Sequence, residues 1–177
     1  AGPVDLGRSA ATLSLKSGRL LADIAELEID AGAHGSGQIC ADMTRAEPRF
    51  SVRGKIEGLE ASRLAVALTG QTTLRGRTDV VLDLAGAGDT GERFLSTLSG
   101  KASLSMTNGG QVGIDLPALL GQSTAATAMD WGEVLSGPTS VDKLDVRLQF
   151  SPGIWSADHV SATMGDSVYR AAGRLSV

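Results

Sequence analysis

This sequence predicts a mainly β fold with a few short helices, in which a curled, largely antiparallel sheet carries the helices packed at one face or end. Three observations lead there: apolar and polar residues alternate along most of the chain, turn-forming residues separate the alternating runs, and helical periodicity is confined to short stretches. Alternation sends every second side chain to one face of a strand. One wet face and one covered face is the pattern of antiparallel sheet, not of parallel sheet buried on both sides.

The clearest run is 73–84, where Leu74, Gly76, Thr78, Val80, Leu82 and Leu84 share one face against Arg75, Arg77, Asp79 and Asp83 on the other. Phe50, Val52 and Ile56 repeat the pattern, as do Ala102, Leu104 and Met106, and then Leu144, Val146, Leu148 and Phe150. Asn108-Gly109 between two such runs predicts a tight hairpin, because both residues tolerate positive φ. Lys16-Ser17-Gly18 and Ser151-Pro152-Gly153 read as further turns.

Helical spacing is found over 59–68, with Ala61, Leu64, Ala65 and Leu68 on one face, and over 92–98, with Phe94, Leu95 and Leu98. A third short helix is expected after Asp115, whose carboxylate can cap the first amides of 116–120. The stretch 121–139, rich in Ser, Thr, Ala and Gly, reads as a long loop carrying Trp131.

A chain of 177 residues is enough for one ordinary domain, and residues 1–177 are read as a single β domain without need of a metal or disulfide staple. The 23 glycines and scarcity of aromatics (2 Trp, 1 Tyr, 3 Phe) imply many turns and a thin interior. With 16 basic and 20 acidic residues the net charge is −4, which argues against a nucleic-acid partner held by phosphate neutralisation. Cys40 stands alone, so neither an intrachain disulfide nor a cysteine-built zinc site is open to it; it reads as a small buried hydrophobe. No run approaches the roughly 18 apolar residues of a membrane helix, and residues 1–14 lack the features of a secretory signal, so the stretch in hand is expected to be soluble.

The sharpest local motif is Gly86-Ala87-Gly88-Asp89-Thr90-Gly91, which has the glycine spacing of a dinucleotide-binding turn between strand and helix. Three points favour a plain strand-to-helix turn. The preceding strand exposes Asp79 and Asp83, where a nucleotide-binding strand is buried on both faces. Asp89 would put a carboxylate beside a pyrophosphate. No acidic residue closes the next strand, which finishes at Thr107-Asn108.

Other catalytic patterns are weaker. His34, Cys40 and Asp42 lack a standard metal spacing and a fourth ligand, and His34 fits the polarity of a glycine-rich loop. Asp158, His159 and Ser161 are the residue types of a hydrolytic triad, but neighbours on one strand point to opposite faces and no nucleophile elbow is present. Glu26, Glu28 and Asp30 alternate as an exposed acidic edge and form no evident acid–base pair. The chain is therefore read as a non-enzyme with no catalytic residue, cofactor or metal site.

Residues 59–120 resemble the C-terminal region of the AsmA family of Gram-negative envelope proteins, which includes TamB-like members. Three pieces carry the resemblance: a short helix entering Thr73-Leu74-Arg75-Gly76, a glycine-rich turn and helix ending in Leu98-Ser99-Gly100, and the run from Leu104 through Asn108-Gly109 to Gly113-Ile114-Asp115-Leu116. The tail, from Gly137-Pro138-Thr139 through Gly153-Ile154 to 173–177, is similar to the family's terminal hairpins, and residues 1–58 fit more loosely.

The resemblance implies a piece of a longer periplasmic protein tethered to the inner membrane by a helix outside this stretch. Such a protein would serve outer-membrane assembly or phospholipid homeostasis, with phospholipid acyl chains or other envelope proteins as partners. On that basis Leu74, Val80, Leu82, Leu84, Leu104 and Met106 are the expected lipid-facing residues. The same residues could instead pack against the helices around Leu64, Phe94 and Leu119 as a closed core, making the chain a structural module that contacts envelope proteins through a sheet edge.

Overall fold

A computed structural model describes residues 7–29, 32–69, 74–113, 115 and 137–176. Nine strands form one antiparallel sheet in the spatial order β1 (Ala10–Lys16), β2 (Arg19–Ile29), β3 (Ala33–Asp42), β4 (Arg49–Glu60), β6 (Arg77–Ala87), β7 (Ser99–Met106), β10 (Lys143–Ser151), β11 (Ile154–Met164) and β12 (Ser167–Ser176). Each strand lies beside its neighbour in sequence except where α1 (Ala61–Thr69), α2 (Gly91–Thr97) and a smaller sheet of β5 (Leu74–Arg75), β8 (Gly110–Val112) and β9 (Thr139–Val141) interrupt the meander. The mainly β, largely antiparallel expectation holds, and the sheet stays open, with β1 and β12 at its two ends.

Turn chemistry explains the tight connections. Ser17 and Gly18, with φ of 47° and 76°, join β1 to β2 in the doubly positive arrangement that matches strand twist. Pro152-Gly153, with Gly153 at φ 75°, joins β10 to β11.

Asn108-Gly109 does not make the expected hairpin. Chain beyond β7 continues through it into β8, just as β5 runs through Gly76 into β6 and β9 runs through Asp142 into β10. The order β5–β8–β9 repeats β6–β7–β10, so three neighbouring strands turn a corner together and the small sheet is their continuation. The Gly109 amide donates to the Asp142 carbonyl at 3.0 Å, and a Cβ on Gly76 would lie 2.9 Å from the Gly109 carbonyl oxygen and 3.3 Å from Met106 Sδ. Residues that permit a hairpin also permit a corner, which is why spacing alone misassigns this one. For the same reason the expected strand 73–84 is broken at Gly76, whose φ is 120°.

The corner encloses the better-filled part of the core. Ala61, Met106, Val141, Leu144 and Ala162 are buried together, with Leu74, Leu104, Val112 and Val160 packed against them. A second cluster of Ala33, Leu59 and Val80 adjoins Ile29, Ile56 and Leu82. Helix α1 begins two residues later than its periodicity suggests because Leu59 and Glu60 still belong to β4. Helix α2 is capped by Thr90, whose hydroxyl accepts from the Arg93 amide at 3.2 Å. The helix expected at 116–120 and the loop with Trp131 lie outside the described residues.

Three further expectations change. Cys40 is half-buried on the polar face of β3, because its register partners are Leu21 and Ser51 on that face. His34 stands in β3, opposite Glu57, and not in a loop. Glu26 and Glu28 do not form an edge, because β1 pairs with β2 and the Glu28 carboxylate accepts from the Arg8 amide at 2.9 Å; Asp30 lies outside the described residues.

Candidate functional site

Register alone assembles a continuous apolar surface across the large sheet. One cross-strand row runs through Leu13, Ala22, Ile39, Val52 and Leu84, and continues through Gly100, Phe150, Trp155 and Leu175. It touches all nine strands, a span of roughly 38 Å at about 4.8 Å per strand. The next row places Ala11, Ile24, Gly37, Gly54 and Leu82 in line with Ala102, Leu148, Ala157 and Gly173. No charged residue stands in either row. Alanine and glycine dominate the second row, which makes it a low line beside the bulkier first.

Side chains between these positions are mostly polar. Arg53, Asp83, Lys101 and Gln149 form one opposite-face row, and Lys55, Val81, Ser103, Arg147 and His159 another. The strict period of two makes the sheet amphipathic as a whole: one side for water, one side for apolar contact.

The apolar face is closed at its two ends and, among the described residues, uncovered between them. At one end α1 and the small sheet lie over Met106 and Leu144. At the other, Phe94 of α2 stacks edge-to-face on Phe50, with ring centroids 6.0 Å apart, and rests on Gly86, where an added Cβ would lie 2.7 Å from the ring. None of the residues in the two rows is buried, and Leu13 and Leu175 at the margins are 72% and 60% exposed. A hollow of about 280 Å³ opens beside Leu148, Phe150, Trp155 and Leu175. There Phe150 and Trp155 pack edge-to-face at 5.5 Å, and the indole N–H is withdrawn from water without an acceptor among the described residues. An apolar stretch of this extent that the described residues leave uncovered is uncommon on a globular monomer.

The six residues expected to face lipid separate into two groups. Val80, Leu82 and Leu84 alternate along one face of β6, and Leu104 is the register partner of Val80. Leu82 and Leu84 are half-exposed on the open part of the face. Met106 is fully buried, Val80 is 6% exposed, and Leu74 from the small sheet and Leu104 pack onto the Met106 cluster, so these four belong to the closed end. Sequence reasoning missed the share of β1–β3 and the Phe150–Trp155–Leu175 corner. Their signal is visible in retrospect as the alternation Leu13-x-Leu15 and Leu20-x-Ala22-x-Ile24.

The glycine motif has a packing explanation at Gly86 and Gly88 and none at Gly91. Gly86 makes room for Phe94, Gly88 adopts φ 154° with an added Cβ only 2.6 Å from the Phe94 amide nitrogen, and nothing lies within 4 Å of a Cβ at Gly91. The Thr97 hydroxyl donates to the Ala87 carbonyl and accepts from the Ala87 amide, which ties the end of α2 to the strand it left. Among the described residues no group of His, Cys, Asp and Glu is arranged to hold a metal ion. Asp158 sits in a bulge of β11, while His159 and Ser161 face the polar side opposite Arg147 and Asp145.

One carboxylate is shifted clearly. The Thr44 hydroxyl and backbone amide, followed by Arg19, hold Asp42 at about 2, below the ordinary 3.8. Thr44 Oγ1 lies 2.5 Å and Arg19 Nε 3.2 Å from the carboxylate, an arrangement that fixes the chain where β3 ends.

Geometry thus defines an open, amphipathic antiparallel sheet with one apolar face that the described residues leave uncovered between its ends. Residues 9–159 match the model of the AsmA family, and the chain belongs to that family. The match takes in β1–β4, which resemble the family least at sight, and stops within β11. No curated protein and no solved structure matches the chain.

Proposed function

We propose that this chain is a non-enzymatic module of the bacterial cell envelope that holds phospholipid acyl chains against its apolar sheet face and so serves phospholipid transport or outer-membrane assembly. The observation that carries this reading is the pair of charge-free rows crossing nine strands with no buried member. Acyl chains need no polar recognition, only surface withdrawn from water, and the low row of Ala and Gly beside the bulkier Leu84–Phe150–Trp155 row offers a track for them. Membership of the AsmA family, generally associated with the bacterial envelope, supports the same reading. In this reading the full-length protein is periplasmic and tethered to the inner membrane. Leu82 and Leu84 contact acyl chains, and Val80, Leu104, Met106 and Leu74 form the packed end against which the track abuts.

The test is extraction of lipid from the purified protein followed by mass spectrometry. Phospholipid should copurify with the parent protein and be depleted in the Leu84→Asp, Leu148→Asp double variant. Equal phospholipid in both would remove the role of this face.

A second reading, an assembly module, draws on the sheet edges: β1 and β12 each pair on one side only among the described residues. Unpaired strand edges are templates for another strand. Cysteines placed at alternate positions of β12 would form disulfides with a partner strand in this case.

A further inference from the structure

The polar face carries a second feature, independent of the apolar one. Lys101 of β7, Arg147 of β10 and His159 of β11 line one hollow of about 710 Å³, with Ser103 and Gln149 between them. Arg147 is the register partner of both Ser103 and His159, and Lys101 that of Gln149, so the three basic side chains come from three consecutive strands on the same face.

A bulge creates this grouping. Leu148 pairs with Ala157, so an uninterrupted register would set Asp158 opposite Arg147, in position for a cross-strand ion pair. The register shifts instead between Arg147 and Leu148, and His159 takes that place. Bulges re-aim side chains, and this one exchanges an acid for a third nitrogen donor. Some neighbouring cations are matched: Arg53 lies 3.1 Å from Asp83 and Lys143 3.5 Å from Asp145. Neither Lys101 nor Arg147 has an ion-pair partner among the described residues, although Asp83 and Asp158 line the same hollow.

From this geometry we infer that the hollow between Lys101, Arg147 and His159 binds a phosphate group. A guanidinium offers a fork matched to two phosphate oxygens, an ammonium adds a point charge, and an imidazole and a hydroxyl complete a ring of donors. The site faces away from the apolar rows, so its ligand is distinct from an acyl chain lying there. A free phosphate or phosphomonoester and the headgroup of an anionic lipid surface share this chemistry.

The test is titration of the ¹⁵N-labelled chain with inorganic phosphate at constant ionic strength, followed through amide shifts. Saturable shifts centred on residues 101–103, 147 and 159 are expected, with a dissociation constant on the order of 1 mM. The Lys101→Ala, Arg147→Ala double variant should weaken binding at least about tenfold, since charge-assisted bonds dominate the site. Asp158→Asn should strengthen it, and Arg170→Ala on β12 should leave it unchanged. Flotation with phosphatidylglycerol or phosphatidylcholine vesicles separates the sources. Retention on the anionic vesicles that the double variant loses assigns the site to a headgroup. Saturable phosphate binding without retention assigns it to a free phosphate ligand. Shifts that stay linear in phosphate, or that persist unchanged in the double variant, overturn the inference.

Discussion

Phe94 lies so close to Gly86 that a Cβ at that glycine would stand 2.7 Å from the ring. The motif spacing that suggests a phosphate loop is therefore a packing device in which a strand leaves room for an aromatic of the following helix. Gly86→Val should destabilise the chain by about 1–3 kcal/mol through overpacking. Gly91→Ala, with open space around it at the start of α2, should be neutral or slightly stabilising. Thermal midpoints of the two variants check this, and equal losses would contradict it.

Met106 and Leu84 stand on the same face of the sheet and should behave differently. Met106 is fully buried in the corner, so Met106→Ala should cost about 2–5 kcal/mol. Leu84 is half-exposed, so Leu84→Ala should cost clearly less while lowering lipid retention. Urea unfolding curves for the two variants supply the comparison.

Gly76→Ala should be more damaging than an ordinary glycine replacement. At φ 120° an L side chain is strained, and the added methyl would also press on the Gly109 carbonyl and Met106 Sδ. The expected loss exceeds about 1 kcal/mol, again read from the unfolding midpoint.

Asp42 makes a pH prediction. Its folded value of about 2 lies below the ordinary 3.8, so its contribution to stability is fully present above pH 3.8 and is lost as pH falls through 2. Asp42→Asn should flatten that part of the acid-unfolding profile. Thr44→Val, which removes the largest cause of the shift, should raise the Asp42 midpoint when it is followed by carboxyl chemical shift.

Much of the face was legible in residue order because period-two alternation is local. Val80, Leu82 and Leu84, or Leu144, Val146 and Leu148, declare their side without reference to the rest of the chain. Pairing across the sheet is not local. That Leu13, Ile39 and Leu175 continue the row of Leu84 depends on eight strand-to-strand registers and on bulges at Ile24–Leu27, Ile56–Leu59 and Arg147–Leu148. Nor could spacing tell a corner from a hairpin at Asn108-Gly109, since both use the same backbone freedom. Burial followed from that corner: Met106 looked like any other residue of the face until the small sheet was folded over it.

Central to this account is that acyl chains contact one face of the sheet only. Photocrosslinking in intact envelopes addresses it directly, with a benzophenone amino acid placed in the full-length protein at Leu82, Leu84 or Gln38 in turn. Positions 82 and 84 should yield phospholipid adducts and position 38, on the opposite face and away from the Lys101–Arg147–His159 hollow, should yield none. Adducts at all three positions, or only protein adducts at 82 and 84, would contradict the account.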